Sequence, residues 1–221
     1  MSLFVDRQDA GRQLAERLAF LKNEQNVIVL GIPRGGVVVA AEVTRALNAP
    51  LDVFLAHKLG APSNSELAIG AITSDGEIFL DDLLVRELRI SKKDIEREAE
   101  YQRKEIERRM QVYRQDRLPL DVKNKTVVLI DDGIATGSTV LASLRALRQQ
   151  NPARLILAIP VGPAVTINRL SSECDQVVVI STPEPFYAVG AFYERFEQTG
   201  DQEVIELLNQ ETRRLGDKGT R

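Results

Sequence analysis

Short apolar runs alternate with segments of helical hydrophobic spacing along most of the chain. The runs suit strands that are buried on both faces of a parallel sheet, and the segments between them suit helices that cover it. The pattern therefore predicts an α/β fold, a twisted parallel sheet with helices on both faces. Strands are predicted at residues 27–32, 52–58, 68–73, 77–80, 126–130, 154–159 and 177–180, and helices at residues 6–22, 36–47, 138–150 and 163–171.

The pattern changes at residues 81–118, where charged residues dominate but helical spacing persists. Ser91 can cap a helix, with Asp94 at the capping-box position. One apolar stripe follows: Ile95, Ala99, Ile106, Met110 and Tyr113. We interpret the region as a helical insertion that packs on its own domain; the alternative is a helix contact between the subunits of a homodimer. Its acidic and basic side chains are interleaved, so nucleic-acid binding is not expected here.

Composition fits a cytoplasmic enzyme with one domain over residues 1–221. The chain has 43% hydrophobic residues and a formal net charge of −3, which gives no support for general attraction to nucleic acid or membrane surfaces. It contains no apolar run long enough to span a membrane and does not begin with a signal-like segment. One cysteine, Cys174, and one histidine, His57, are too few ligands for a protein-only zinc site.

The most informative chemical feature lies at residues 127–139, where an apolar run ends in Asp131, Asp132 and a small, hydroxyl-rich turn. The turn joins a strand to a helix, where unpaired backbone N–H groups and the helix dipole favour a phosphate. The carboxylates would repel that phosphate, so we expect them to bind ribose hydroxyls or to help hold Mg2+ through its waters. The residues predicted to bind a phosphorylated sugar here are Asp131, Asp132, Gly133, Ile134, Ala135, Thr136, Gly137, Ser138 and Thr139.

This stretch resembles the phosphoribosyl-diphosphate (PRPP) motif of the type I phosphoribosyltransferases. Over nearly the whole chain, the resemblance is closest to uncharacterised stand-alone phosphoribosyltransferase-like proteins of bacteria. The shared features are a Phe4-x-Asp6-Arg7-x-x-Ala10-Gly11 pattern, the Pro-Arg-Gly-Gly turn at 33–36, Lys-Leu-Gly-Ala-Pro at 58–62, and Asp-Asp-Gly-Ile-Ala-Thr-Gly at 131–137. The resemblance implies transfer of a 5-phosphoribosyl group from PRPP to a nitrogen nucleophile, a nucleobase-like acceptor, with release of diphosphate and with Mg2+ as cofactor.

A second loop, at residues 32–36, follows the first predicted strand. In the family such a turn presents backbone N–H groups to the leaving diphosphate, and glycine lets the backbone approach closely. The resemblance therefore assigns Pro33, Arg34, Gly35 and Gly36 to PRPP binding. It also implies a non-proline cis peptide at Pro33–Arg34 or Arg34–Gly35. The alternative is a plain strand-to-helix turn.

The resemblance also makes the polar segment 59–66 a flexible loop that closes over PRPP, with Lys58 at its base. Lys58 and Arg34 would stabilise the departing diphosphate, while Asp131 and Asp132 orient the ribose; we predict these four as the catalytic residues. Because side chains alternate along a strand, His57 should point away from Lys58 and have a structural or surface role.

The Pro-rich segment 182–200 is expected to form a hood over the acceptor, as the region outside the core does in the family. Phe186 or Tyr187 could stack there on an aromatic base, although packing against the core explains the aromatic cluster as well.

Two residues depart from the better-known family members. Ala135 replaces an acid that the 6-oxopurine enzymes carry near the purine, and a methyl group cannot transfer a proton. Gly133 replaces a branched apolar residue. The donor is therefore better defined than the acceptor, and hypoxanthine or guanine salvage is less favoured. The alternative function is a non-catalytic sensor of PRPP or a nucleotide, against which Arg34 and Lys58 argue.

Overall fold

The computed structural model describes residues 2–62, 64–73, 76, 78–115 and 117–216, and the side chains of 64–66 and 68 are not described. The helices are α1 (Arg7–Arg17), α2 (Gly35–Leu47), α3 (Asp82–Glu87), α4 (Lys92–Arg114), α5 (Ser138–Gln149), α6 (Ala164–Leu170) and α7 (Asp201–Gly216). The strands are β1 (Val27–Gly31), β2 (Leu51–Val53), β3 (Ala56–Ala61), β4 (Asn64–Thr73), β5 (Ile78–Leu80), β6 (Thr126–Ile130), β7 (Arg154–Val161) and β8 (Gln176–Ser181). Short 3-10 turns lie at Ala19–Leu21, Ser171–Glu173 and Val189–Phe192.

A five-stranded parallel sheet forms the centre of the fold, in the order β2-β1-β6-β7-β8. Alternate residues of its middle strands enter two different cores: Val29 and Val128 face one, while Ile28 and Val127 face the other. Both faces of the sheet are thus covered, which explains why these strands are continuously apolar. The predicted parallel sheet with helices on both faces is confirmed.

A second, antiparallel sheet has the order β3-β4-β5. It corrects two predictions: the strand expected at 52–58 is divided into β2 and β3, and residues 59–61 and 64–66 of the expected loop belong to β3 and β4. The hairpin forms because β3 pairs with β4 along its length and buries Leu59 and Ala61. The strands predicted at 68–73 and 77–80 are found in β4 and β5, although residue 77 lies outside the described residues.

The charged region contains α3 and the long helix α4. Ser91 caps α4 by accepting the backbone N–H of Asp94 at 3.2 Å, as predicted. The buried residues of α4 are the five of the predicted stripe, and the helix packs against β3, β4 and α7. Near its end, Arg114 pairs with the buried Asp52 of β2 at 2.9 Å. The stripe is therefore used for packing within the chain.

Helix α1 is shorter than the predicted 6–22, because the chain tightens into a 3-10 turn at Ala19–Leu21. Of the helices within the described ranges, none combines the length and hydropathy needed to cross a membrane.

Candidate functional site

The two predicted loops meet at one edge of the parallel sheet. Strands β1 and β6 are neighbours, with Gly31 opposite Ile130, and the strand order reverses between them. Chains that leave the carboxyl ends of such a pair diverge to opposite sides, which opens a crevice where ligands bind in α/β sheets. The loop after β1 (residues 32–36) and the loop after β6 (residues 131–137) form the walls of this crevice.

Two glycines let these loops touch. A Cβ atom on Gly35 would overlap Asp132 Oδ2 and would lie 2.6 Å from Arg7 Nε. A Cβ atom on Gly36 would lie 2.8 Å from both the Cα of Asp131 and the carbonyl oxygen of Ile130. Any larger residue would push the loops apart, so both positions require glycine. The peptide between Pro33 and Arg34 is cis, at one of the two bonds that the family resemblance indicated.

The acid pair is asymmetric. Asp132 Oδ2 accepts a hydrogen bond from Arg7 Nε at 2.7 Å, whereas Asp131 Oδ1 accepts the backbone N–H of Asp132 at 2.9 Å. Burial raises the pKa of Asp131 well above its ordinary value, and the negative charge of Asp132 raises it further. Burial also raises the pKa of Asp132, but the guanidinium of Arg7 opposes that rise. The ion pair therefore favours the charged form of Asp132 over that of Asp131.

Arg7 is a site residue to which the sequence analysis gave no role. It lies in the first turn of α1, yet its side chain reaches the acid pair, donates to the carbonyl oxygen of Glu197 at 2.7 Å and covers the ring of Phe196 at 3.8 Å. Tyr193 adds a second tie by donating to the carbonyl oxygen of Asp132 at 2.5 Å. The only sequence signal was the shared pattern around Asp6 and Arg7.

A cavity of about 570 Å³, here called the acid-pair cavity, opens between the loops. Six predicted residues line it: Pro33, Arg34, Gly35, Asp131, Asp132 and Thr139. A second cavity of about 540 Å³, the hydroxyl-loop cavity, shares Ile32, Pro33 and Thr139 with the first and is also lined by Lys58, Thr136 and Ser138. The structure therefore brings the predicted acids, cations and hydroxyls around two neighbouring cavities.

The remaining predicted residues shape the hydroxyl-rich turn. Gly36, Gly133, Ile134 and Gly137 are buried and Ala135 is exposed, and none of these five lines either cavity. Gly137 has a φ of 73° and stands at the N-cap of α5, so the turn delivers its hydroxyl groups to the positive end of that helix. From α6, Arg169 donates to the carbonyl oxygen of Thr136 at 2.5 Å and holds the turn from outside.

His57 and Lys58 both border the hydroxyl-loop cavity, and the expectation that only one of the two side chains faces a ligand stays a prediction. His57 Nδ1 lies 2.8 Å from Gln102 Oε1, and Gln102 donates in turn to Glu98 at 2.9 Å. Helix α4 thus forms the outer wall of this cavity.

Arg34 is half-exposed above the acid-pair cavity and lies 3.8 Å from Asp201 at the start of α7. Asp201 also accepts the hydroxyl of Tyr113 at 2.6 Å. The pKa of Tyr113 is raised to about 12, mainly because the side chain is buried and secondly because its hydroxyl donates to Asp201. The start of α7 thus places a carboxylate beside the Arg34 guanidinium.

Segment 182–200, the hood segment, borders the acid-pair cavity through Val189, Phe196, Gln198 and Thr199. Phe186 instead packs on Phe192 with ring centres 4.9 Å apart, and Tyr187 is 85% exposed. Neither lines the two cavities, so their stacking role stays a prediction; from this segment, Phe196 is the aromatic residue that lines the acid-pair cavity. The structure explains why position 133 is a glycine: the Cγ1 atom of Val189 occupies the space that a Cβ atom there would need.

Comparison with known proteins agrees with this geometry. Residues 5–189 match the family described as phosphoribosyl transferase domain. Two Mycobacterium tuberculosis proteins that are provisionally named phosphoribosyl transferases, MT0597 and Rv0571c, are each 42% identical over 99% of this chain. The chain spans 49% of their length. The crystal structure of TT1426 from Thermus thermophilus is 42% identical, with a TM-score of 0.88 over 95% of this chain and 99% of that one.

Proposed function

Because the chain belongs to the phosphoribosyl transferase domain family, we propose that it transfers the 5-phosphoribosyl group of PRPP to a nitrogen nucleophile, a nucleobase-like acceptor, and releases diphosphate. The observation that carries the proposal is the contact of Gly35 and Gly36 with Asp132 and Asp131. That contact joins an anion-binding loop and a diol-binding acid pair at the switch point of the sheet. PRPP carries both kinds of group on one sugar.

Each part of PRPP has a matching part of the site. The turn at 134–139, at the start of α5, would hold the 5-phosphate with backbone N–H groups and hydroxyls. The acid pair would accept hydrogen bonds from the ribose hydroxyls, while Arg34 and Lys58 would bind the diphosphate. The two cavities adjoin at Ile32, Pro33 and Thr139, which line both, and we propose that one ligand reaches into both.

In the proposed reaction, the bond between C1 of the ribose and the diphosphate oxygen breaks, and a bond forms between C1 and the acceptor nitrogen. Positive charge develops on the sugar, and the bonding electrons leave with diphosphate. Arg34 and Lys58 lower the energy of that leaving group, and the acid pair fixes the ring. A proton also leaves the acceptor nitrogen; because the methyl group of Ala135 cannot take it, the proton passes to water or to the departing diphosphate.

Mg2+ fits the site only as a shared ion. Within the residues that the structure describes, no cluster of three His, Cys, Asp or Glu side chains could hold a metal. Oxygens of PRPP and water would supply most ligands, with Asp131 and Asp132 as the protein groups in reach. The ion would neutralise charge on the diphosphate.

Calorimetry with PRPP and Mg2+ tests the donor assignment. The wild type should bind, and the double variant Asp131→Asn/Asp132→Asn should lose at least about tenfold in affinity, because charge-assisted hydrogen bonds to the ribose are removed. An exposed pair on the same chain, Arg148 and Asp175, offers a matched control: Asp175→Asn should bind as the wild type does. Unchanged binding in the double variant would refute the proposal.

Turnover is tested separately, by measuring diphosphate release from PRPP in the presence of a pooled library of nucleobases and amines. Release that depends on an acceptor supports the transferase. Tight PRPP binding without release for any acceptor would instead support a sensor of the same fold.

A further inference from the structure

Arg7 lies where four separate parts of the chain meet. Its side chain comes from the first turn of α1 and is 12% exposed. It contacts Asp132 in the loop after β6, Phe196 and Glu197 in the hood segment, and the space beside Gly35 in the loop after β1. A residue needed only to pack α1 on the sheet would not require a forked cation at this point.

These contacts involve the two acids unequally. Asp132 Oδ2 pairs with Arg7 Nε at 2.7 Å, both atoms lie against Gly35, and the Asp132 side chain is 16% exposed. Asp131 forms no salt bridge among the described residues, and its Oδ1 accepts the backbone N–H of Asp132. The two carboxylates are adjacent in sequence, but only one of them is already paired with the protein.

We propose that Arg7 is a positioning residue: its ion pair with Asp132 gives that acid a structural role and leaves Asp131 as the acid that binds the ribose hydroxyls. The proposal rests on the proposed function, since it assigns a division of labour within the same sugar site. Arg7 neutralises Asp132, so the pair presents one carboxylate to a ligand. The same guanidinium ties the hood segment to the acid pair through Phe196 and Glu197, which couples the acceptor side of the cavity to the ribose side.

A double-mutant cycle on ligand affinity tests this division. Dissociation constants for ribose 5-phosphate and for inorganic diphosphate are measured by calorimetry for Arg7→Met, Asp132→Asn, the Arg7→Met/Asp132→Asn pair, and Asp131→Asn. Asp131→Asn should weaken ribose 5-phosphate about tenfold or more, because it removes a charged hydrogen-bond acceptor. Arg7→Met and Asp132→Asn should each weaken it less, and together no more than the stronger single change, because they break one interaction.

Ligand selectivity separates positioning from a general structural role. Arg7→Met should weaken ribose 5-phosphate and change diphosphate affinity less than about twofold, whereas a loosened fold would weaken both. Arg7→Lys keeps the charge but not the fork, and should recover only part of the loss. Arg12→Met, on the exposed face of the same helix, is the control and should match the wild type. If Arg7→Met does not fold, Arg7→Lys carries the test.

The outcomes distinguish this inference from the proposed function. Equal losses for Asp131→Asn and Asp132→Asn, or fully additive losses for Arg7→Met and Asp132→Asn, would overturn the division of labour while leaving the transferase intact. If no variant of either acid affects ribose 5-phosphate, both proposals fail.

Discussion

Replacing Gly35 with alanine should damage the site by a single methyl group. The added Cβ would overlap Asp132 Oδ2 and come within 2.6 Å of Arg7 Nε, so it must displace a buried ion pair that closes at 2.7 Å. Forcing an extra methyl group into a packed region costs about 1–3 kcal/mol. At about 2 kcal/mol, the unfolding midpoint of a chain of this size should fall by about 4–8 °C.

Binding should suffer as well as stability, because moving Asp132 disturbs its neighbour Asp131, the acid proposed to bind the ribose hydroxyls. A charged hydrogen bond that is weakened rather than lost corresponds to an affinity for PRPP that is lower by up to about tenfold. Thermal unfolding followed by circular dichroism measures the first effect, and calorimetry with PRPP and Mg2+ measures the second.

Gly200 provides the matched control for Gly35. A Cβ at Gly200 would meet no atom within 4 Å, so Gly200→Ala should leave both the unfolding midpoint and PRPP affinity close to the wild type. If Gly35→Ala behaves like Gly200→Ala in both measurements, the two loops do not touch as described, and the argument that joins them into one site fails.

Three further changes have defined outcomes. Gly133→Ala should lower the free energy of unfolding by about 1–3 kcal/mol because its Cβ meets Val189, and Val189→Ala should restore it in the double variant, as chemical denaturation would show. Asp201→Asn should strengthen diphosphate binding in calorimetry a few-fold, because it releases Arg34 from a competing partner; unchanged affinity would contradict that competition. The pKa of Asp131 is higher in the folded protein than in the unfolded chain, so above the ordinary pKa of 3.8 the unfolded chain gives up this proton more readily than the folded protein does. The free energy of unfolding therefore falls as the pH rises above 3.8. Asp131→Asn should therefore raise the unfolding midpoint at pH 7 and lose this advantage below about pH 4, and a variant less stable than the wild type at pH 7 would refute the reasoning.

The parts of the fold that could be predicted are those whose physics is local. Continuous apolar runs identify β1 and β6 because both faces of these strands are buried. The α4 stripe is found by its 3.6-residue period, and the two loops are found because their residue types suit the ends of strands. Because the carboxyl ends of parallel strands lie at the same edge of a sheet, predicting a parallel sheet also predicts that the two loops lie at the same edge.

The parts that could not be predicted depend on partners far away in the chain. The β3–β4 hairpin looks like a loop because Gly, Pro and Ser dominate its tip, and only pairing with β4 makes residues 59–61 a strand. Arg7 and Asp132 are separated by 125 positions, so no local pattern joins them. Helix α7 was not predicted either; it buries Val204 and Leu208 in the core, and its buried Glu211 pairs with Arg45 at 2.7 Å and Arg214 at 2.6 Å.

The raised pKa of Asp131 indicates what the acid pair is for. Two adjacent carboxylates at the end of a buried strand cost stability, and a chain selected for stability alone would keep an amide or apolar residue there. Arg7 offsets that cost at Asp132, but at Asp131 the structure shows no matching cation within salt-bridge distance among the described residues. A ligand that donates hydroxyl groups, or a magnesium ion that arrives with it, would stabilise the charged form of Asp131 and so gain affinity from the same burial that destabilises the empty site. On this reasoning the acid that destabilises the fold should also be the acid that binds ribose more strongly. Asp131→Asn should therefore raise stability and lower ribose affinity, whereas Arg7→Met should lower both.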